Sequence, residues 1–185
     1  GLVGSEMCIR DRTNSVVIDK CRAWPAHIDI LKRYVTNNPK LICTVRHPLD
    51  ILASFITLIH KDKTLSFIDK AMIEQKIPIT DDNRCHYMMN PNGIVWESMN
   101  ALATAFRQKQ QHHIHFIQYD DLVSNPSQEI AKLHDFLELD PFVYDFDNVV
   151  AKNREKDAEV YGLPTMHEVR KSINKISKPY SEVLS

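Results

Sequence analysis

The sequence predicts an α/β domain with a largely parallel sheet. Short runs of β-branched residues alternate with longer stretches of helical period, as in folds whose strands are joined by helices. One of these runs, Leu41 to Val45 (LICTV), is apolar at nearly every position, which is typical of a strand covered on both faces. At 185 residues, with 43% hydrophobic and 25% charged residues, the chain can form one globular domain.

The beginning of the chain differs from the rest. Residues 1–12 (GLVGSEMCIRDR) have neither helical nor strand period and resemble translated adapter read-through, so we exclude them and expect the authentic domain to occupy residues 13–185. Ser15 to Asp19 (SVVID) is then predicted to be the first strand. A helix from about Pro25 to Val35 follows, and its apolar face contains Ile28, Leu31 and Val35.

The second strand, Leu41 to Val45, is followed at once by a helix. Pro48 suits the first turn of that helix. An apolar stripe then runs along one side, through Ile51, Leu52, Phe55, Leu58 and Ile59. Residues 61–93 are polar and irregular in period, so the sequence assigns no helix or strand there, and one interpretation is a substrate lid.

The remaining elements are a helix, a strand and a second helix. A stripe predicts the helix Val95 to Phe106, through Trp96, Met99, Leu102, Ala103 and Phe106. Ile114 to Tyr119 is the third strand. Asn125, Pro126 and Gln128 then provide a cap, a first-turn proline and a capping-box partner for a helix that ends near Leu137.

Composition excludes several classes of function. With 23 Lys and Arg against 24 Asp and Glu, the formal charge is −1, so we expect no nucleic-acid partner. No apolar run reaches the roughly 18 residues that span a bilayer, so no membrane span is expected. The four cysteines lack CxxC spacing, which favours reduced thiols and a cytoplasmic location. HHIH at residues 112–115 is interpreted as surface strand rather than a zinc site, and Asp120 and Asp121 as structural carboxylates.

An arginine at the end of the second strand points to an anion. In open α/β sheets, ligands bind outside the carboxyl ends of the strands, where Arg46 lies. The helix beginning near Pro48 offers free backbone N–H groups, and Ser54 lies about two turns along it. A guanidinium and a hydroxyl could grip one phosphate from two directions. Alternatively, Arg46 is exposed to solvent and Ser54 lies on a neutral helix flank.

The stretch VRHPLDILASF resembles the 3′-phosphate-binding segment of sulfotransferases that use 3′-phosphoadenosine 5′-phosphosulfate (PAPS), with its pattern R-D-P-R-D-x-x-x-S. Arg46, Pro48, Asp50 and Ser54 are in register, whereas His47 and Leu49 depart from the pattern. The resemblance implies a P-loop-like three-layer domain with a mainly parallel sheet. It also implies that PAPS is the co-substrate, that no metal is needed, and that Arg46 and Ser54 hold the 3′-phosphate.

Three further segments extend the resemblance. VVIDKCRAW is similar to the strand that ends in the family's catalytic lysine, which implies that Lys20 stabilises the leaving group. Arg22 occupies the position where cytosolic members have a histidine base, and because arginine stays protonated, no base is assigned. FIQYDDLVSNPSQEIAKLHDFLEL resembles the family's Y-E-D-L segment, which implies that Tyr119 approaches the adenine. LPTMHEVRKSINKISKPY resembles the C-terminal segment that folds over the 3′-phosphate, with Arg170 as the preferred ligand.

The family's glycine-rich loop P-x-S-G-T-T, which holds the 5′-phosphosulfate, is not found. The chain has four glycines, and none opens such a loop. We therefore expect a C-terminal portion of a sulfotransferase, lacking its first strand and that loop, that is aggregation-prone and inactive alone. A P-loop kinase-like phosphotransferase and a non-catalytic nucleotide-binding module remain as alternatives. The resemblance implies that the acceptor of the sulfuryl group is a hydroxyl or an amine.

Overall fold

The chain folds into helices packed around two parallel strands. The structure is a computed structural model, and it describes residues 18–150, 156–174 and 178–184. Strand β1 (Leu41–Val45) pairs in parallel with β2 (Ile114–Gln118), from Leu41 opposite Ile114 to Val45 opposite Gln118. The predicted α/β class with a parallel sheet is confirmed. Most of the predicted first strand lies outside the described residues, and Ile18 forms an isolated bridge.

The helices within the described residues are α1 (Ile28–Tyr34), α2 (Pro48–Asp62), α3 (Phe67–Glu74), α4 (Asp81–Met89), α5 (Ile94–Arg107), α6 (Tyr119–Ser124), α7 (Pro126–Leu137) and α8 (Asp157–Tyr161). Short 3₁₀ turns occupy Trp24–His27, Gln111–His113 and Tyr180–Glu182. The predicted helix at Pro25 to Val35 therefore begins as a 3₁₀ turn, and Val35 is exposed. None of the helices in these ranges is long and apolar enough to cross a membrane.

Two apolar clusters form the core. The larger one joins α2, α3, α4 and α5 to the C-terminal segment, through Leu52, Ile56, Ile59, Ile68, Met72, Met88, Val95 and Leu163. The smaller one lies against the sheet and contains Ile28, Leu41, Ala105 and Ile114. Helix α2 thus has its apolar stripe in the larger core, as its sequence predicts, although Leu52, Ala53, Ile56 and Ile59 are the residues that are fully buried.

Strand β1 is covered on one face, whereas its apolar sequence predicts cover on both. Burial alternates along the strand: Leu41 is buried, Ile42 is 44% exposed, and Thr44 is exposed. This period of two is the pattern of a strand with one face on the core and the other toward solvent. For the described residues, the expectation of two covered faces is wrong.

Residues 61–93, to which the sequence pattern assigns no element, contain α3 and α4. Each helix has a side-chain cap: Ser66 accepts a hydrogen bond from the Asp69 backbone N–H, and Thr80 accepts one from that of Asn83. Their inward faces supply Ile68, Met72 and Met88 to the larger core. These two helices are therefore part of the framework.

Helix α5 is present as predicted, but the face that it buries differs from the predicted one. Val95, Ala101 and Ala105 are buried, whereas Trp96 is 40% and Phe106 is 51% exposed. Small side chains let the helix approach its neighbours closely, and Ala105 is completely buried in the cluster beside the sheet. Large apolar residues are often found on the protein surface, so their stripe does not identify the buried face.

The cap of α7 is confirmed, whereas the interpretation of HHIH needs correction. The Asn125 side chain accepts a hydrogen bond from the Gln128 N–H, and its amide donates to the Gln128 side chain at 3.0 Å. His113 is 6% exposed and ends a 3₁₀ turn, so it is not surface strand. Burial, with smaller effects from His112 and Lys32, lowers the pKa of His113.

Candidate functional site

The parallel register brings two predicted site residues together. Val45 pairs with Gln118, so Arg46 and Tyr119 are the residues that follow the two paired strand ends. The guanidinium carbon of Arg46 lies 4.5 Å from the centroid of the Tyr119 ring. Stacking of this kind is a cation–π contact, and it fixes the plane of the guanidinium group. Tyr119 therefore supports Arg46, and its approach to adenine stays a prediction.

A cavity of about 200 Å³ opens beside Arg46, and its lining residues come from three parts of the chain. It is lined by Arg46, Ile51, Ser54, Phe55, Leu58, Met166 and His167. The α2 residues are spaced three and four apart, so they form one face of that helix. Arg46 and Ser54, predicted from the sequence as partners, thus line the same cavity. Among the described residues at the cavity, the polar ones are Arg46, Ser54 and His167.

The C-terminal segment after α8 also lines this cavity, through Met166 and His167. Leu163 is completely buried in the larger core and anchors the segment. Thr165 donates its backbone N–H at 3.2 Å and its hydroxyl at 3.0 Å to the carboxylate of Asp62, at the end of α2. The Thr64 hydroxyl donates to the carbonyl of Gly162. These contacts fix the position of Met166 and His167.

His167 is held by a buried carboxylate. Its backbone N–H donates to Asp157 Oδ2 at 2.7 Å, and its ring Nδ1 lies 2.7 Å from Asp157 Oδ1. Asp157 is 6% exposed and begins α8. Since a carboxylate accepts hydrogen bonds, this contact places a proton on Nδ1. No sequence pattern indicates this pair, because the two residues are ten positions apart and match no motif.

The start of α2 is partly covered by the end of the chain. The His47 ring stacks on the Tyr180 ring with centroids 5.4 Å apart. Asp50, in the first turn of α2, accepts a hydrogen bond from the Tyr180 backbone N–H at 3.0 Å. Val183 and Leu184 pack against the larger core. The C-terminal residues thus contact the start of α2 and the larger core.

Two of the predicted site residues lie elsewhere. Lys20 and Arg170 are both exposed, and neither lines the cavity. In the segment LPTMHEVRK, the residues that line the cavity are Met166 and His167, and Arg170 is not among them. Arg22 donates to the carbonyl of Ile94 at 3.3 Å. The roles of Lys20 and Arg170 therefore stay predictions.

The chemistry of the cavity fits one phosphoryl group. The cavity contains a guanidinium group, a hydroxyl and an imidazole, which can donate hydrogen bonds to an anion. The apolar residues around them limit the access of water, which strengthens each hydrogen bond. A volume of about 200 Å³ is smaller than the several hundred Å³ that whole ligands usually occupy. Within residues 18–150, 156–174 and 178–184, no group of three or more His, Cys, Asp and Glu side chains is placed to hold a metal ion.

Comparison with known proteins gives one family and one solved structure. The model of the sulfotransferase domain family matches residues 24–175. A solved structure titled "Sulfotransferase Domain from the Curacin Biosynthetic Pathway" is similar to the chain at 26% identity, with a TM-score of 0.43. The match covers 68% of this chain and 39% of that chain. No curated protein matches the sequence.

Proposed function

The chain belongs to the sulfotransferase domain family, and from this premise we propose that it takes part in transfer of a sulfuryl group from PAPS to an acceptor hydroxyl or amine. The observation that carries the proposal is the shared cavity of Arg46 and Ser54. The 3′-phosphate distinguishes PAPS from most adenine nucleotides, and a site built from a fork and a hydroxyl suits a phosphate. Family membership favours sulfuryl transfer over the kinase-like alternative.

In this proposal Arg46 and Ser54 hold the 3′-phosphate and so position the nucleotide. The acceptor oxygen or nitrogen forms a bond to sulfur while the bond from sulfur to the bridging phosphate oxygen breaks, releasing adenosine 3′,5′-bisphosphate. Lys20 neutralises the charge that develops on that bridging oxygen. The acceptor loses its proton to a base that the described residues do not identify. Arg170 is proposed to approach the same phosphate from the C-terminal segment.

Tyr119 has a positioning role in this scheme. Its ring lies under the Arg46 guanidinium, which leaves the edge N–H groups of the fork for the anion. A phenyl ring keeps this contact and a leucine removes it. Tyr119→Phe should therefore preserve binding of the bisphosphate, and Tyr119→Leu should weaken it.

Isothermal titration calorimetry tests the proposal with adenosine 3′,5′-bisphosphate and adenosine 5′-phosphate. We expect the bisphosphate to bind more tightly, and Arg46→Ala to weaken it at least about tenfold, since a hydrogen bond to a charged group contributes about 1.5–3 kcal/mol. Arg33→Ala is a matched control, because exposed Arg33 also stacks on a tyrosine, Tyr34, at 5.3 Å but lies outside the cavity. Equal affinity for both nucleotides would refute the proposed site.

A further inference from the structure

Arg46 and His47 form the link between strand β1 and helix α2. The strand ends at Val45 and the helix begins at Pro48, so the place of Arg46 depends on how this link is held. The His47 carbonyl accepts hydrogen bonds from two backbone N–H groups in the first turn of α2, at 3.0 and 3.1 Å. Its side chain makes no capping hydrogen bond with the helix. The imidazole is instead held by a distant part of the chain.

The part that holds it is the C-terminal strap, residues 178–184. The Tyr180 ring lies nearly parallel to the His47 ring, at an interplanar angle of 13° and with centroids 5.4 Å apart. The Tyr180 backbone N–H donates to Asp50 Oδ1 at 3.0 Å. One residue of the strap therefore contacts the link through its ring and the first turn of α2 through its backbone.

The C-terminal strap is itself anchored to the larger core. Val183 and Leu184 pack against that core, and their backbone N–H groups donate to the Tyr180 carbonyl at 3.0 and 2.8 Å. Pro179 precedes the 3₁₀ turn with φ of −61°, an angle that the proline ring also imposes on the unfolded chain. Less conformational entropy is therefore lost when the strap is ordered. Through Tyr180, the strap joins the link to a packed part of the framework.

Arg46 is thus supported at its side chain and at its backbone by different tyrosines. The Tyr119 ring fixes the plane of the guanidinium group. Tyr180 acts one residue further along, on His47, and so on the start of the helix that carries Ser54. A binding site whose donors are already held in place loses less entropy when the ligand binds. The strap should therefore raise the affinity of the proposed phosphate site.

We infer that Tyr180 is a positioning residue of that site: packed on His47 and Asp50, it keeps Arg46 and Ser54 in the arrangement that binds the phosphate. This inference rests on the proposed function, because it assigns a supporting residue to the same 3′-phosphate site. Tyr180 is not among the residues that line the cavity, and it acts through the link. Coupling of this kind is reciprocal, so a nucleotide that binds better with the strap docked also stabilises the docked strap.

The first test is calorimetry on the 185-residue chain. Tyr180→Ala removes the ring, keeps the backbone N–H, and should weaken adenosine 3′,5′-bisphosphate binding about three- to tenfold while leaving adenosine 5′-phosphate binding unchanged. Tyr180→Phe keeps ring and N–H and should restore the affinity. Tyr144→Ala is the matched control, because Tyr144 is similarly exposed and also packs on a histidine, His134 at 5.6 Å, outside the cavity. Thermal unfolding of each variant shows whether the fold is retained.

A second measurement, amide hydrogen exchange, needs no variant and excludes a purely structural role. Exchange of the Tyr180 N–H, which Asp50 accepts in the docked strap, should slow with adenosine 3′,5′-bisphosphate and stay unchanged with adenosine 5′-phosphate. The reference amide is that of Val149, which donates to the Lys171 carbonyl at 2.7 Å and should slow less, since neither residue lines the cavity.

Unchanged Tyr180 exchange at saturating bisphosphate, or equal bisphosphate affinity of folded Tyr180→Ala and wild type, would overturn the inference. If Arg46→Ala still weakened bisphosphate binding in that case, the proposed function would stand without the C-terminal strap. If the wild type did not prefer the bisphosphate, the proposed site and the role of Tyr180 would fail together.

Discussion

Substitution of Gly162 by alanine should destabilise the C-terminal segment that lines the cavity. Gly162 ends α8 in the left-handed conformation, at φ +64°, and a Cβ there would collide with the backbone carbonyl oxygen of Leu65. Left-handed φ alone does not demand glycine in this chain, because Lys63 and Glu138 adopt φ of 51° and 58° at the ends of α2 and α7. The close approach to Leu65 is what distinguishes position 162.

The expected cost is the sum of two effects. A left-handed alanine costs about 1–2 kcal/mol relative to an ordinary conformation. An added methyl group in a space already filled by backbone typically costs a further 1–3 kcal/mol or so. Gly162→Ala should therefore lower the free energy of unfolding by about 2–5 kcal/mol. Lys63→Gly, at the end of α2, should change it by less than about 1 kcal/mol, since it only removes a strained side chain.

Urea unfolding measures the global effect, and hydrogen exchange of the amides in residues 156–168 measures the local one. We expect faster exchange in this segment and weaker binding of adenosine 3′,5′-bisphosphate, because the segment carries Met166 and His167. Gly162→Ala with a stability within about 0.5 kcal/mol of the wild type and unchanged exchange would refute the steric reasoning.

Two further predictions concern a buried ion pair and a thiol. Arg84 Nε lies 2.7 Å from the carboxylate of Asp69, which is 1% exposed. Because Arg84→Met leaves that carboxylate buried without its partner, it should lower the free energy of unfolding in urea by about 3–5 kcal/mol, and the double variant with Asp69→Asn should lower it clearly less. Equal losses in the single and double variants would contradict the pairing. Burial raises the pKa of the Cys43 thiol, so at pH 8 iodoacetamide should label exposed Cys21 faster, and labelling of Cys43 should increase over a higher pH range. Equal rates by mass spectrometry would contradict the second expectation.

The parts of the fold that the sequence predicts well are those with local signals. An apolar run followed by a first-turn proline predicts β1 and α2, and the Asn125 cap predicts the start of α7. Two local signals were present but missed. Ser66 with Asp69 forms a capping box, and Thr80 caps α4, so the helices at residues 61–93 could have been found from their caps.

Other features depend on tertiary contacts and have no local signal. The buried face of α5 is set by close packing through Ala101 and Ala105, which hydrophobicity alone ranks below Trp96 and Phe106. The pair of Asp157 and His167 exists because the segment after α8 turns back against α2. For the candidate site, the spacing of eight residues predicts Arg46 and Ser54 as partners, whereas the position of His167 at the cavity is known only from the structure.

Helix α2 explains why the cavity lies where it does. One side of the helix is buried in the larger core through Leu52, Ile56 and Ile59, which fixes its rotation. An α-helix turns about 100° per residue, so the neighbouring side, with Ser54, is directed toward the cavity once the core is packed. The parallel register independently brings Arg46 against Tyr119 at the strand ends. The hydroxyl and the guanidinium are therefore positioned by separate parts of the framework, and the cavity that they line is also lined by the C-terminal segment, which Leu163 and Asp62 hold in place.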